Sequence, residues 1–120
     1  MIKLQYILIS LTYLISCNSF ALEKTQLDIG NVKNVSVYMH KNEDNPVYLS
    51  NYEINEFISE WNNSETIGLC KYAVKIWLIV ENHNSKKREF RINAENIKEN
   101  NDICYKISTN LSSLLYDKAK

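Results

Sequence analysis

Glycine and proline are scarce in this chain of 120 residues, which contains two glycines and one proline. That scarcity excludes a collagen-like chain and a flexible linker rich in either residue. Hydrophobic residues make up 45% of the sequence and charged residues 23%, as in a globular protein. The length is enough for one domain and not for two. We therefore expect a single small folded unit.

A surplus of positive charge is also missing. The chain has 14 basic and 14 acidic residues, and loss of residues 1–21 would remove only Lys3 from this balance. A general nucleic-acid-binding protein needs a surplus of Lys and Arg to displace counterions from phosphates. The charge balance thus argues against nucleic acid as the partner. Lysine outnumbers arginine 12 to 2, which indicates the coding bias of an AT-rich, bacterial genome.

The common catalytic motifs are absent from the sequence. It contains no GxSxG, HExxH or SxxK pattern and no phosphate-binding loop. His40 and His83 fall at a predicted strand end and a predicted turn, where solvated side chains are expected. Neither Cys70 nor Cys104 has a CxxC partner or a nearby histidine, which argues against a metal site. We predict no catalytic residue, no cofactor and no metal.

Residues 1–21 have the organisation of a secretory signal peptide. Lys3 supplies the positive start, and residues 4–15 supply an apolar segment that is too short for a transmembrane helix of about 20 residues. The sequence predicts that this leader is removed and that residues 22–120 form the mature domain. The protein is then exported, to the periplasm or the medium.

Two processing sites compete in the leader. Ser19-Phe20-Ala21 fits an ordinary small-x-small cleavage site, whereas Leu14-Ile15-Ser16-Cys17 fits a lipobox that would place a lipid on Cys17. An apolar Phe20-Ala21-Leu22 segment would be a poor flexible tether for a lipoprotein. We favour cleavage after Ala21, with lipidation of Cys17 as the alternative and the only expected route to membrane contact.

Both alternatives leave Cys70 and Cys104 in an oxidising compartment, where two cysteines most often pair. The loop closed by such a disulfide spans about 35 residues, which corresponds to about 4 kcal/mol in the chain-entropy model. We predict a Cys70–Cys104 disulfide.

The clearest local pattern lies at residues 50–61. Ser50 and Glu53 fit a capping box, and the apolar residues that follow have the i, i+3, i+4, i+7 spacing of one helical face. These residues are Ile54, Phe57, Ile58 and Trp61. The pattern predicts an amphipathic helix over about 51–62. Glu53, Glu56 and Glu60 lie on another face, for which a solvated surface is expected; an acidic recognition strip and a carboxylate pair for general acid–base chemistry are the alternatives.

The remaining elements are predicted from alternation and from turn formers. Alternating residues predict strands over 35–39, 72–81, 89–93 and 103–107, and residues 95–102 are expected to form a turn or a single helical turn. A short C-terminal helix is expected to begin after Ser108 or Thr109. The order predicts an α+β fold, a mostly antiparallel sheet of about four strands with the first helix packed across one face.

Surface candidates follow from this outline. Trp77 is predicted on the sheet face that is not buried by the helix, with Tyr38, Tyr48 and Tyr72 as further aromatic candidates. Lys86, Lys87 and Arg88 are predicted at the tip of a hairpin, where they could contact an acidic partner or form an ordinary solvated turn. We expect a partner protein to contact Trp77 or the loops at 41–46 and 82–88.

These features favour a small exported binding or inhibitory module that is not an enzyme. An immunity or inhibitor protein that acts on a secreted or envelope protein is an example. An envelope accessory or structural protein, lipid-anchored if Cys17 is used, is the first alternative. A cell-wall hydrolase is the second.

Overall fold

A computed structural model of the protein describes residues 24–120. The predicted signal peptide, Cys17 and both processing sites lie outside the described residues. Two helices and seven strands form the described part. The helices are α1 (Asn51–Asn63) and α2 (Thr109–Ala119), and the strands are β1 (Val32–Tyr38), β2 (Val47–Tyr48), β3 (Thr66–Leu69), β4 (Ile76–Asn82), β5 (Lys87–Asn93), β6 (Asn96–Lys98) and β7 (Ile103–Lys106).

All seven strands belong to one sheet with the order β2-β1-β4-β5-β6-β7-β3, and every neighbouring pair is antiparallel. The predicted α+β fold, the mostly antiparallel sheet, the two helices and the Cys70–Cys104 disulfide are confirmed. The prediction of about four strands is wrong. Strands β2, β3 and β6 were not expected because each is only two to four residues long.

Helix α1 begins as its sequence predicts. The Ser50 hydroxyl accepts a hydrogen bond from the Glu53 amide, and the Glu53 carboxylate accepts one from the Ser50 amide. The apolar stripe is buried, with Phe57 and Trp61 fully enclosed. Both rings pack edge-on against Phe90 of β5 at centroid distances of 5.3 and 4.8 Å. This stripe fixes α1 against the sheet.

The two faces of the sheet differ in what covers them. Core residues of β1, β4, β5 and β6 share one side by their pairing register and form one cluster with residues of α1 and α2. Those strand residues are Val35, Val37, Ile76, Leu78, Val80, Phe90, Ile92 and Ile97. We call the other side the helix-free face. It carries Ser36, Tyr38, Trp77 and Ile79.

The cysteines are joined although strand alternation places Cys70 on the same face as Ile76 and Cys104 opposite Ile103, an arrangement that would not by itself bring them together. Cys70 lies in the loop directly after β3, and β4 begins only at Ile76 instead of near residue 72. Because Cys70 is outside the strands, alternation with Ile76 does not determine the side of the sheet on which Cys70 lies. The Cys70 amide donates to the Asp102 carbonyl at 2.9 Å, which places it beside β7 and Cys104. The two Cα atoms lie 5.9 Å apart.

Residues 95–102 contain a strand where a turn or a single helical turn was expected. Asn96–Lys98 forms β6, which is hydrogen-bonded to β5 on one side and to β7 on the other. The local sequence is polar apart from Ile97, so its strand conformation comes from these two neighbours. Neither of the helices within residues 24–120 has the length and apolar character needed to cross a bilayer.

Candidate functional site

An aromatic cluster lies on the helix-free face. Tyr38 of β1 and Trp77 of β4 are cross-strand partners, and their rings stack with centroids 5.7 Å apart and planes inclined by 6°. The His40 ring centroid lies 6.1 Å from that of Trp77. Tyr48 of β2 pairs with Ser36 and is 60% exposed. We call Tyr38, His40, Tyr48 and Trp77 the aromatic patch.

The core holds the aromatic patch in place. Val37 and Leu78 directly precede and follow Tyr38 and Trp77 in their strands, and both are fully buried beneath the helices. Because side chains alternate between faces, this burial turns Tyr38 and Trp77 to the opposite side. Both rings are partly exposed. The sheet therefore presents a preformed aromatic surface.

Negative charge borders the patch. Burial raises the pKa of the Tyr38 hydroxyl, and the carboxylates of Glu89 and Glu43 raise it further. Glu89 is the cross-strand partner of Ile79, next to Trp77 along the face. A carboxylate disfavours a second negative charge nearby, which is the origin of its part of the shift. The border of the patch thus includes the carboxylates of Glu43 and Glu89, and Arg91 lies across from Trp77 on β5.

The predicted hairpin tip divides into two parts. Lys86 and Lys87 are exposed, and their side chains make no hydrogen bond or ion pair with the residues that the structure describes. Arg88 instead turns inward. Its guanidinium donates to both carboxylate oxygens of Glu99, at 2.6 and 2.7 Å, and to the carbonyls of Thr25 and Gln26. Of the three predicted tip residues, the structure leaves the two lysines open to a partner.

A second feature of the helix-free face was not foreseen from the sequence. Lys98 of β6 has a side chain only 5% exposed, and its ammonium lies 4.4 Å from the centre of the Tyr72 ring and 3.3 Å from Asp102. The Tyr72 hydroxyl donates to the Arg91 carbonyl at 2.7 Å. Burial raises the pKa of Tyr72 to about 12, although the Arg91 charge acts in the opposite direction.

Tyr72 belongs to a loop, residues 70–75, that covers one end of the helix-free face. The disulfide holds the start of the loop, and the Lys75 amide holds its end by donating to the Ile92 carbonyl. Asn93 adds a hydrogen bond to the Ala73 carbonyl. The loop is therefore fixed against β5 and places Tyr72 over Lys98. Tyr72, expected among the surface aromatics, packs on Lys98 and is not part of the patch.

The carboxylates of α1 do not form a common solvated strip. Glu53 is buried, contrary to expectation, and its carboxylate lies 3.1 Å from the Lys118 ammonium of α2. Burial alone would raise the pKa of Glu53, but the hydrogen bonds from Ser50 and the contact with Lys118 lower it overall. Glu60 accepts hydrogen bonds from the amide and hydroxyl of Ser108. Glu56 is the one exposed member of the three.

Glu60 also borders a cavity of about 350 Å³ between the end of α1 and the start of α2, lined by Glu65, Lys106 and Ser108 among others. Its carboxylate is already bonded to Ser108 at the first turn of α2. A carboxylate there satisfies free amides and complements the helix dipole. Glu60 thus has a structural role beside the cavity, where it connects α1 to the start of α2.

Among residues 24–120, no group of three or more His, Cys, Asp or Glu side chains is placed to hold a metal ion. No family model, curated protein or solved structure matches the chain. The functional proposal therefore depends on the geometry of the chain itself.

Proposed function

We propose that the protein is a small exported module that binds, and thereby inhibits or neutralises, a secreted or envelope protein. The aromatic patch is its contact surface. The observation that carries the proposal is the Tyr38–Trp77 stack on the sheet face that the helices leave open. Aromatic side chains are enriched at the centres of protein interfaces, where they supply most of the binding energy.

The rigidity of the patch supports this proposal. Tyr38 and Trp77 stand on β1 and β4, two interior strands whose opposite face is the hydrophobic core, and Tyr48 stands on the neighbouring β2. Association requires loss of side-chain and loop freedom, and a preformed surface reduces that cost. A binding role needs only such a surface, whereas catalysis would also need convergent acid, base or nucleophilic groups.

Export is the second part of the proposal. A disulfide is typical of proteins that fold outside the cytoplasm, and the Cys70–Cys104 bond supports such a location. Cleavage after Ala21 would give a mature protein that starts at Leu22. Intact mass of protein recovered after export should give that end, and Cys17→Ser should leave export unchanged. A diacylglyceryl adduct on Cys17 would instead establish a lipoprotein.

Affinity capture with matched variants tests the contact surface. Tagged protein, recovered from the periplasm of its own host, should bring down one stoichiometric protein. Trp77→Ser should abolish this capture while the protein stays folded, with a melting temperature lowered by several degrees because the stack on Tyr38 is lost. Tyr52→Ser is the control, because Tyr52 is 69% exposed on α1, on the side of the sheet that the helices cover.

The same capture separates the patch from the hairpin tip. The double variant Lys86→Glu/Lys87→Glu reverses both open charges without disturbing Arg88. Its capture should equal that of the unchanged protein if the aromatic patch is the contact. Loss of capture in the lysine variant with full capture in Trp77→Ser would move the contact to the tip. Hydrolysis of peptidoglycan by the purified protein would overturn the binding role.

A further inference from the structure

Strand β3 is an edge strand with exposed apolar side chains. Among the strands of residues 24–120, it stands last in the sheet and pairs only with β7. Ile67 is 50% exposed and Leu69 is 84% exposed, the highest exposure among the large hydrophobic residues that the structure describes. An isolated exposed leucine is common, but two such residues in one strand of four form a small apolar surface at an unpaired edge.

Natural sheets usually protect such edges. Lysine or proline within the strand, very short strands and bulges are the common devices. The opposite edge, β2, has only two residues, whereas β3 contains neither lysine nor proline. Its one protective device is a register shift between Thr66 and Gly68, with Gly68 at φ 117°. The shift increases the local twist, so any further pairing is limited to a few residues.

The charges beside β3 have opposite signs at its two ends. Glu65 precedes the strand and Lys71 follows it two residues after Leu69. Both are exposed, and neither side chain forms an ion pair with a described residue. The segment therefore has a negative charge at its start, apolar side chains in its middle and a positive charge at its end.

We propose that β3 pairs antiparallel with β3 of a second copy of this chain about a twofold axis. In that arrangement the start of one strand lies beside the end of the other. Glu65 of each copy then approaches Lys71 of its partner, and Ile67 approaches Leu69. A segment with this charge pattern is complementary to itself, which is why a second copy, and not an unrelated strand, is its occupant. The near-neutral chain adds little repulsion between copies.

Such a dimer leaves the aromatic patch free. The patch stands on β1, β2 and β4, toward the other end of the strand order from β3. Two copies would then present two patches to a partner, and a partner with repeated sites would be held more tightly by both than by one. The contact is short, so we expect a dimer that dissociates on dilution rather than an obligate one.

Sedimentation equilibrium of the purified, disulfide-closed protein over a concentration series tests the proposal. The unchanged protein should show a monomer–dimer equilibrium. Leu69→Lys should raise the dissociation constant by about tenfold or more, because it replaces a central apolar contact twice in each dimer. Tyr52→Lys, at an exposed aromatic on α1, should have no effect. Near-ultraviolet circular dichroism verifies that each variant is folded.

A charge swap tests the antiparallel register. Glu65→Lys and Lys71→Glu should each raise the dissociation constant, by about two- to fivefold, since exposed ion pairs contribute modestly. The double variant should restore it. A monomer at every concentration, a dimer unaffected by Leu69→Lys, or a double variant no better than its parents would overturn the proposal. None of these outcomes bears on capture through Trp77.

Discussion

Lys87 and Arg88 are adjacent cations in opposite environments, and replacing each with alanine should give different losses of stability. Lys87 is exposed and makes no side-chain hydrogen bond or ion pair with a described residue. Arg88 has a side chain 18% exposed and forms four hydrogen bonds, two of them to the Glu99 carboxylate, which is 10% exposed. Arg88→Ala would leave that carboxylate largely buried without its partner.

The loss of unfolding free energy expected for Arg88→Ala lies between two known limits. Breaking a fully buried ion pair costs about 3–5 kcal/mol, whereas an exposed pair contributes about 0–1 kcal/mol. Because Arg88 and Glu99 are mostly but not fully buried, we expect Arg88→Ala to lower the free energy of unfolding by about 2–3 kcal/mol. Lys87→Ala should cost less than about 0.5 kcal/mol.

Thermal unfolding followed by circular dichroism measures the difference. At about 4–8 °C per kcal/mol for a domain of this size, Arg88→Ala should lower the melting temperature by about 8–24 °C. A double-mutant cycle with Glu99→Ala isolates the pairwise coupling, because the double variant removes both charges together. Equal melting temperatures for Arg88→Ala and Lys87→Ala would refute an internal role for Arg88 and return it to the open hairpin tip.

Three further results are expected. Phe57→Ala should lower the free energy of unfolding by about 3–5 kcal/mol, because Phe57 is fully buried, and Glu56→Ala by less than about 0.5 kcal/mol; equal losses in urea unfolding would mean that the faces of α1 are misassigned. Reduction of the Cys70–Cys104 bond should lower the melting temperature by about 8–32 °C, for a typical disulfide contribution of about 2–4 kcal/mol, and two alkylatable thiols in unreduced protein would contradict the bond. The folded-state pKa of Glu53 lies below its ordinary value of 4.5, so the ionised carboxylate contributes fully to stability above that pH and loses this contribution on acidification. Glu53→Gln should therefore weaken the pH dependence of the free energy of unfolding, measured in urea between about pH 5 and pH 3. An unchanged pH dependence in the variant would contradict this.

Residues 50–61 show what the sequence could predict. The capping box and the apolar stripe are local patterns, so helix α1 could be located to within a residue of its observed end. Strands with long alternation, such as β1 and β4, were predicted for the same reason. In each case the information lies within a few neighbouring residues.

The short strands show what the sequence could not predict. β3 contains a glycine at positive φ and exposes both of its large apolar side chains, so buried and exposed residues do not alternate along it. β6 has one apolar residue and is defined by β5 and β7 on either side of it. Their pairing depends on contacts that are distant in sequence, and no local pattern records it.

The candidate site was predicted in part for the same reason. The position of Trp77 on the open face follows from alternation, but its stacking on Tyr38 depends on the register of β1 against β4. The sequence could not distinguish the inward orientation of Arg88 from the exposure of its lysine neighbours, because its partner Glu99 is 11 residues away. No sequence pattern indicated that Lys98 of β6 is buried, since Tyr72 covers it from a loop that is distant in the sequence.

Hydroxyl-radical footprinting of the captured complex is the decisive test of the aromatic patch as a binding surface. The reaction modifies exposed tyrosine and tryptophan side chains and can be measured with and without the bound partner. We expect Tyr38, Tyr48 and Trp77 to become protected in the complex, while Tyr52 on α1 reacts as before. Unchanged modification of Tyr48 and Trp77, with protection of Tyr52 instead, would contradict a binding role for the helix-free face.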